Sequence, residues 1–195
     1  MKIIFDNIIY SLQKAGGISN YWTELIKRFS KYRSIYFYEK KNVNIFWKKI
    51  KIHTLNESKI SFKILRFLPF LKKIPSKSIF HSSYFRTTFQ KNVVKIVAVY
   101  DFIDEYYDRG IKRYLGRIQK KIALKNADGI ICISKSTEKD LYKFFPEIKK
   151  NKVKTIYISA SKNFYKIKNI KEKIDDPKIN DLINKKIILY VGDRR

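Results

Sequence analysis

Short apolar runs alternate with amphipathic segments along most of this 195-residue chain. Runs rich in β-branched and aromatic residues predict buried strands at residues 2–6, 34–38, 78–84, 93–99, 128–133, 153–158 and 187–191. Between these runs, apolar residues recur at three- and four-residue spacings, which predicts helices with one buried face. The alternation is typical of an α/β fold, a Rossmann-like, doubly wound parallel sheet that binds ligands at the carboxyl ends of its strands.

Three helices follow from the apolar spacing. The first comes directly after Gly16 and Gly17, and the last begins near Ser134 and ends before Pro146. The second is the longest and ends near Asn126. Its predicted buried stripe consists of Ile111, Tyr114, Leu115, Ile118 and Ile122.

The middle of the chain is harder to interpret. Residues 39–58 show no firm period, and residues 60–74 mix apolar with basic side chains. Pro69 ends or kinks any helix in the second segment. Two interpretations of it stay open: a solvated helix over the sheet, or a surface that lies on a membrane near a lipid-linked acceptor.

Composition bounds the class of protein. The hydrophobic fraction of 45% excludes a disordered chain. The single cysteine, Cys132, cannot form an intramolecular disulfide, and its apolar surroundings favour a buried structural thiol in a reducing compartment. Asp6 interrupts the first apolar run too early for a signal peptide. We therefore expect a cytoplasmic protein whose only membrane contact is peripheral, at the inner face of the plasma membrane.

The formal net charge of +27 raises the question of a nucleic-acid partner. The basic residues are spread over the whole chain, most are lysine, and they accompany abundant Ile and Asn. An AT-rich coding bias produces the same mixture, so we do not expect nucleic acid as the partner. An anionic membrane surface is a second candidate, because each nearby Lys or Arg contributes about 1 kcal/mol to such binding.

Glycines between a predicted strand and helix are candidates for an anion site. Gly16 and Gly17 occupy this position, where backbone N–H groups and a helix N-terminus can approach a phosphate. They match neither the dinucleotide fingerprint nor the P-loop sequence, so they could equally serve the turn alone.

Several motifs in a fixed order are more specific. They are Gly-Gly-Ile-Ser-Asn-Tyr at 16–21, His-Ser-Ser-Tyr-Phe-Arg at 81–86, Val-Tyr-Asp-Phe at 99–102, the run Ala-Asp-Gly-Ile-Ile-Cys-Ile-Ser-Lys-Ser-Thr at 127–137, and Ile-Ile-Leu-Tyr-Val-Gly-Asp-Arg at 187–194. This order resembles the group 1, or family 4, glycosyltransferases over nearly the whole chain except residues 39–77.

The resemblance implies a two-domain GT-B enzyme that transfers a sugar from a nucleotide donor with retention of configuration and without a metal or other cofactor. Residues 1–165 correspond to the acceptor-side domain, and residues 166–195 to a linker and the first strand of a nucleotide-sugar-binding domain. Gly16, Gly17 and Arg194 match the family's contacts to the donor diphosphate. The acceptor is expected to be a cell-surface polysaccharide or a lipid-linked glycan precursor.

This sequence departs from the family at two points. Tyr100 and Asp101 stand where the family has a catalytic His-Asp pair, and tyrosine donates a hydrogen bond but does not readily shuttle a proton at neutral pH. Asp101 either orients neighbouring groups or caps the turn into the next helix. The family's following lysine and its glutamate-bearing donor motif have no counterpart before Arg195, so we expect no transfer by this chain alone.

Three further residues are candidates for the acceptor side, each with a structural alternative. His81 could approach the acceptor at a strand end or be a hydrogen-bonded structural residue. Because His53 is the other histidine of the two in the sequence, no metal site is predicted. Arg86 could bind an acceptor phosphate or carboxylate or be an ordinary surface arginine. Ser134 could line the cleft or only cap a helix.

The competing hypothesis for the whole chain is a non-catalytic, basic α/β module that binds anionic glycan or nucleic acid through its charge. Steep salt dependence of binding to single-stranded nucleic acid would favour this module.

Overall fold

The computed structural model describes residues 1–32, 34–39, 42–47, 52–107, 110–159, 182 and 185–188. The chain divides into two compact units, Met1–Ile158 and Ser159–Arg195. The predicted domain boundary at residues 165 and 166 lies outside the described residues, as do residues 189–191 of the last predicted strand. Ile187 and Ile188 are described and are not in a strand. In the second unit, the Lys185 amide donates to the Leu182 carbonyl at 3.0 Å.

The first unit contains a parallel sheet of seven strands. In spatial order they are β3 (Thr54–Leu55), β2 (Ile35–Tyr38), β1 (Ile3–Asp6), β4 (Ser78–Ser82), β5 (Val93–Val99), β6 (Gly129–Cys132) and β7 (Val153–Thr155), and every neighbouring pair is parallel. Six of them lie within the predicted runs. Only β3 was not predicted, because two residues are too few to show a period.

Helices connect the strands and cover both faces of the sheet. They are α1 (Ile9–Leu12), α2 (Gly17–Phe29), α3 (Phe62–Leu65), α4 (Ile103–Tyr107), α5 (Ile111–Asn126) and α6 (Lys135–Phe144), with a 3-10 turn at Lys150–Lys152. The predicted α/β, Rossmann-like, doubly wound fold is confirmed. No helix in the described ranges is both long enough and apolar enough to cross a bilayer.

Each face of the sheet has its own core. Helix α2 packs on one face through Trp22 and Ile26 against Phe5 and Phe37. Helices α5 and α6 pack on the other face, where the buried residues are Val97, Val99, Ala123, Leu124, Ile130, Cys132, Leu141 and Phe145. Cys132 is fully buried, as predicted, and burial raises the pKa of its thiol to about 12.

The segment at residues 60–74 does not form the helix over the sheet that the sequence suggested. Only the four residues of α3 are helical, and Phe70 and Ile74 insert beneath β1 and β4 instead. The Phe70 amide donates to the Thr87 carbonyl, so this segment follows the loop after β4. Pro69 and the lack of a sustained period account for the early helix end.

The predicted burial of the α5 stripe is wrong. Ile111, Tyr114, Leu115, Ile118 and Ile122 are between 38% and 78% exposed. The opposite side of α5 is buried instead, through Ala123, Leu124 and Lys120. Lys120 is held there by a 2.8 Å ion pair with the buried Glu105 of α4.

The strand order reverses direction between β1 and β4. From β1 the chain moves outward to β2 and β3, then returns to β4 on the other side of β1. In doubly wound sheets such a reversal opens a crevice outside the carboxyl ends of the two strands. The residues that follow β1, β2, β4 and β5 therefore define the region in which to look for a ligand site.

Candidate functional site at the carboxyl edge of the sheet

Helix α2 begins at this edge with an uncapped N-terminus. Gly16 is the N-cap residue, no described side chain caps the helix, and its first turn contains no acidic residue. The Ser19 hydroxyl donates to the Gly16 carbonyl at 3.0 Å and so does not cap the amides. The first-turn N–H groups and the positive end of the helix dipole are therefore available to an anion.

The two glycines differ in the space around them. A Cβ atom at Gly16 would lie 2.6 Å from Oε1 of Gln13, whereas a Cβ at Gly17 would meet nothing within 4 Å. Gly16 holds the turn close to the Gln13 side chain. Gly17, the first helical residue, presents open space in front of the helix.

Tyr100 lies beside the start of α2. Its ring contacts that of Tyr21, one helical turn after Gly17, edge to face at 5.6 Å. Its hydroxyl is buried and has no hydrogen-bond partner in the described part of the chain. Burial raises the pKa of Tyr100 well above 10.0, so the phenol stays protonated and can donate a hydrogen bond but not serve as a base.

Further buried polar atoms lie on the segments around Gly16. Oγ of Ser11 and Oε1 of Gln13 have no partner in the described residues, whereas the Asn7 amide and the Glu39 carboxyl interact with each other. Asn7 follows β1, and Glu39 follows β2, so both occupy the carboxyl edge. We call Asn7, Gln13, Glu39 and Tyr100 the edge cluster. Because an unsatisfied buried polar group costs about 1–3 kcal/mol, such a concentration indicates a place that receives a polar molecule.

Glu39 has the most perturbed carboxyl group of the cluster. Burial raises its pKa from 4.5 to about 8, and the neighbouring Asn7 amide offsets the shift only in part. Near neutral pH this side chain is largely protonated, so it can donate one hydrogen bond and accept another. Asn7 is itself held by the Trp22 indole, whose Nε1 donates to Oδ1 at 2.7 Å.

Asp101 follows Tyr100 and points to solvent. Its Oδ1 accepts the amide hydrogen of Ile103 at 3.2 Å, so it caps the turn into α4. The capping alternative thus has a direct contact, whereas no described contact joins the carboxylate to the edge cluster. A catalytic role for Asp101 and Tyr100 stays a prediction.

His81 is a core residue of β4. Its Nδ1 lies 3.0 Å from the Ile96 carbonyl, and its ring packs against Trp22 with centroids 4.8 Å apart. Burial lowers the pKa of His81 to about 4, so the imidazole is neutral at physiological pH. This geometry favours the structural interpretation over contact with an acceptor.

Arg86 is buried, which corrects the interpretation as a surface arginine. Nη1 donates to Asp6 at 3.0 Å and to Glu57 at 2.9 Å, and Nη2 donates to Glu57 at 2.8 Å. Nε donates to the Leu68 carbonyl and Nη2 also to that of Pro69. These contacts use five N–H groups, the full capacity of a guanidinium, so they favour a structural role over binding of an acceptor.

Ser134 is the N-cap of α6. Its Oγ accepts the Thr137 amide hydrogen at 3.0 Å, and the Thr137 hydroxyl donates to the Tyr100 carbonyl at 3.2 Å. Ser134 therefore helps to position the Tyr100 backbone. Arg194, the third predicted diphosphate contact, lies outside the described residues.

Sequence reasoning missed most of the edge cluster, although the signal for two of its members was present. Asn7 and Glu39 directly follow predicted strands, and the rule that ligands bind at carboxyl ends would have selected them. Gln13 lies in a connection that the sequence shows only as a loop. Glu57 gave no signal, because its partner Arg86 is 29 positions away.

Within the described ranges, no three His, Cys, Asp or Glu side chains lie close enough together to hold a metal ion. The edge cluster is instead a set of hydroxyl, amide and carboxyl groups beside a helix N-terminus. The chain matches no protein-family model and no curated protein.

Proposed function

We propose that the chain is the acceptor-side domain of a retaining, nucleotide-sugar-dependent glycosyltransferase of the GT-B type. The acceptor is a cell-surface polysaccharide or lipid-linked glycan precursor, processed in the cytoplasm or at the inner face of the plasma membrane. The single observation that carries the proposal is the uncapped start of α2 beside the unpartnered polar atoms of the edge cluster. The motif order noted in the sequence supports the same assignment.

The proposed chemistry divides between the two parts of the edge. The amides of Gly17 and its neighbours bind the donor diphosphate, and the helix dipole offsets the negative charge that grows on this leaving group as the glycosidic bond breaks. The Tyr100 hydroxyl and the protonated Glu39 hydrogen-bond hydroxyl groups of the sugar. A second domain reads the nucleotide, and no metal or cofactor takes part.

Gly17 offers a direct test by binding of uridine diphosphate, guanosine diphosphate and inorganic pyrophosphate, measured by calorimetry. A carboxylate in front of α2 opposes the diphosphate by about 1–2 kcal/mol, so Gly17→Glu is expected to weaken binding about five- to thirtyfold. Gly17→Ala is the matched control, because its Cβ meets no atom within 4 Å. It should bind within about twofold of the unmodified chain.

The rival, a basic module for nucleic acid, predicts a different pattern. Binding of a single-stranded oligonucleotide with a steep salt slope, unaffected by Gly17→Glu, together with no diphosphate binding, would replace the proposal by the rival.

A further inference from the structure

The outer side of α5 carries an apolar stripe that no described residue covers. The stripe consists of Ile111, Tyr114, Leu115, Ile118 and Ile122, and its most exposed member, Ile111, is 78% accessible. At 100° per residue these five positions fall on one side of the helix, and the buried Lys120 falls on the opposite side. The stripe is therefore the true outward face of an amphipathic helix and is not a partly packed core face.

Helix α3 and the loop after it extend this surface. Their exposed apolar side chains are Ile64, Phe67 and Leu71. The Gln119 side chain of α5 donates to the Arg66 carbonyl, which brings the loop alongside the stripe. Arg66 also lies over the Phe67 ring at 4.9 Å. We call the stripe, together with Ile64, Phe67 and Leu71, the outer apolar face.

The segments that form the outer apolar face are rich in basic residues. Helix α5 contains six Lys or Arg and no Asp or Glu, and residues 60–77 contain five Lys or Arg and no acidic residue. Lys121 and Lys125 are exposed beside the stripe, whereas Lys120 is buried on the opposite side of the helix. The acidic groups nearby are few. Glu105 is buried against Lys120, Asp104 is on the adjacent α4, and Glu147 lies 3.5 Å from Lys121 and 3.7 Å from Lys125.

This combination selects the occupant. An amphipathic helix with an apolar stripe and cationic flanks inserts its stripe at the headgroup boundary of an anionic bilayer, where the basic groups add electrostatic attraction. A second copy of the chain would bring the same basic flanks, and a further net charge of +27, against the first. We infer that the outer apolar face docks on an anionic membrane surface. The inference does not depend on the proposed sugar transfer.

Co-sedimentation of the whole chain with lipid vesicles tests the docking. The chain is expected to bind vesicles of equal parts phosphatidylglycerol and phosphatidylcholine, to bind pure phosphatidylcholine far less, and to dissociate as salt is added. Leu115→Ser combined with Ile118→Ser should lower the partition coefficient about tenfold or more. Val94→Ser is the control, because Val94 has similar exposure, 43%, and does not belong to the outer apolar face.

Charge is tested separately from apolar contact. Lys121→Gln with Lys125→Gln and the control pair Lys31→Gln with Lys91→Gln lower the net charge equally, and only the first pair flanks the stripe. The first pair should weaken vesicle binding more than the second. Equal loss in both pairs would show attraction by net charge alone and overturn the docking of this face.

Fluorescence can report where the face lies. Ile118→Cys carries an environment-sensitive dye, and the natural Cys132 is buried and does not compete for the label. The emission should shift to the blue with anionic vesicles, whereas Val94→Cys should not respond. Absence of vesicle binding would refute the inference. Self-association of the chain that Leu115→Ser and Ile118→Ser abolish would refute it too, and would assign the face to a second copy.

Discussion

Arg86 joins three segments that are distant along the chain. Its guanidinium contacts Asp6 at the end of β1, Glu57 in the loop after β3, and the carbonyls of Leu68 and Pro69. Burial raises the pKa of Asp6. Arg86 partly offsets this rise, because its positive charge favours the charged carboxylate. Sequence alone could not predict this network, because Asp6 lies 80 positions from Arg86 and no local pattern connects them.

Replacing Arg86 should strongly destabilise the fold. Arg86→Met leaves two buried carboxylates without their partner, which should lower the free energy of unfolding by about 3–5 kcal/mol. Urea unfolding measures this loss. Adding Asp6→Asn and Glu57→Gln should restore part of the loss, because neutral amides cost less to bury. Arg28→Met, at an exposed position of α2, should stay within about 0.5 kcal/mol. A loss no larger for Arg86→Met than for Arg28→Met would contradict the described network.

Glu39 predicts a specific pH dependence of stability. Its folded pKa of about 8 is raised above the ordinary 4.5, so the neutral form is favoured by folding. This contribution is present below pH 4.5 and is lost as the pH rises towards 8. Glu39→Gln removes it, and the variant should therefore gain stability relative to the unmodified chain between pH 5 and pH 9.

Urea unfolding at several pH values across this range measures the difference between the two proteins. Glu24→Gln is a suitable control, since the pKa of Glu24 is lowered by Lys27 and the residue does not titrate there. A difference that stays constant with pH for Glu39→Gln would show that Glu39 is not desolvated at the carboxyl edge.

At the scale of elements, the pattern of the chain identified the strands and long helices but misjudged one face. Periodicity shows which residues of α5 share a side, and it does not show which way that side points. The buried side of α5 is the one that carries Lys120, Ala123 and Leu124, because the paired lysine and the small alanine allow close packing on the sheet. No local sequence rule signals that Lys120 finds Glu105.

The two sides of α5 should respond differently to truncation. Leu124→Ala removes a fully buried side chain from the core and should cost about 2–5 kcal/mol. Ile118→Ser removes an exposed one and should change the unfolding free energy by about 0.5 kcal/mol or less. Thermal or urea unfolding decides the matter. A large loss of unfolding free energy for Ile118→Ser with a small one for Leu124→Ala would contradict the described orientation of the helix.

At the scale of the molecule, the doubly wound topology was predictable and the site was predictable only in outline. Alternating strands and helices restrict the sheet to few topologies, and the carboxyl-end rule points to the glycine turn and the Tyr100 corner. The edge cluster could not be predicted from the sequence, because it depends on how α1 and α2 pack around Asn7. Three candidate acceptor contacts, His81, Arg86 and Ser134, have hydrogen-bond partners within the fold.

The proposed diphosphate site lies at the start of α2, where it can be observed residue by residue. Backbone amide NMR of the chain, titrated with uridine diphosphate or guanosine diphosphate, measures it directly. We expect saturable shifts concentrated at Gly16, Gly17 and Ile18, with smaller changes at Glu39 and Tyr100. Shifts spread over exposed lysines, or none at the glycines up to millimolar ligand, would contradict the proposed site.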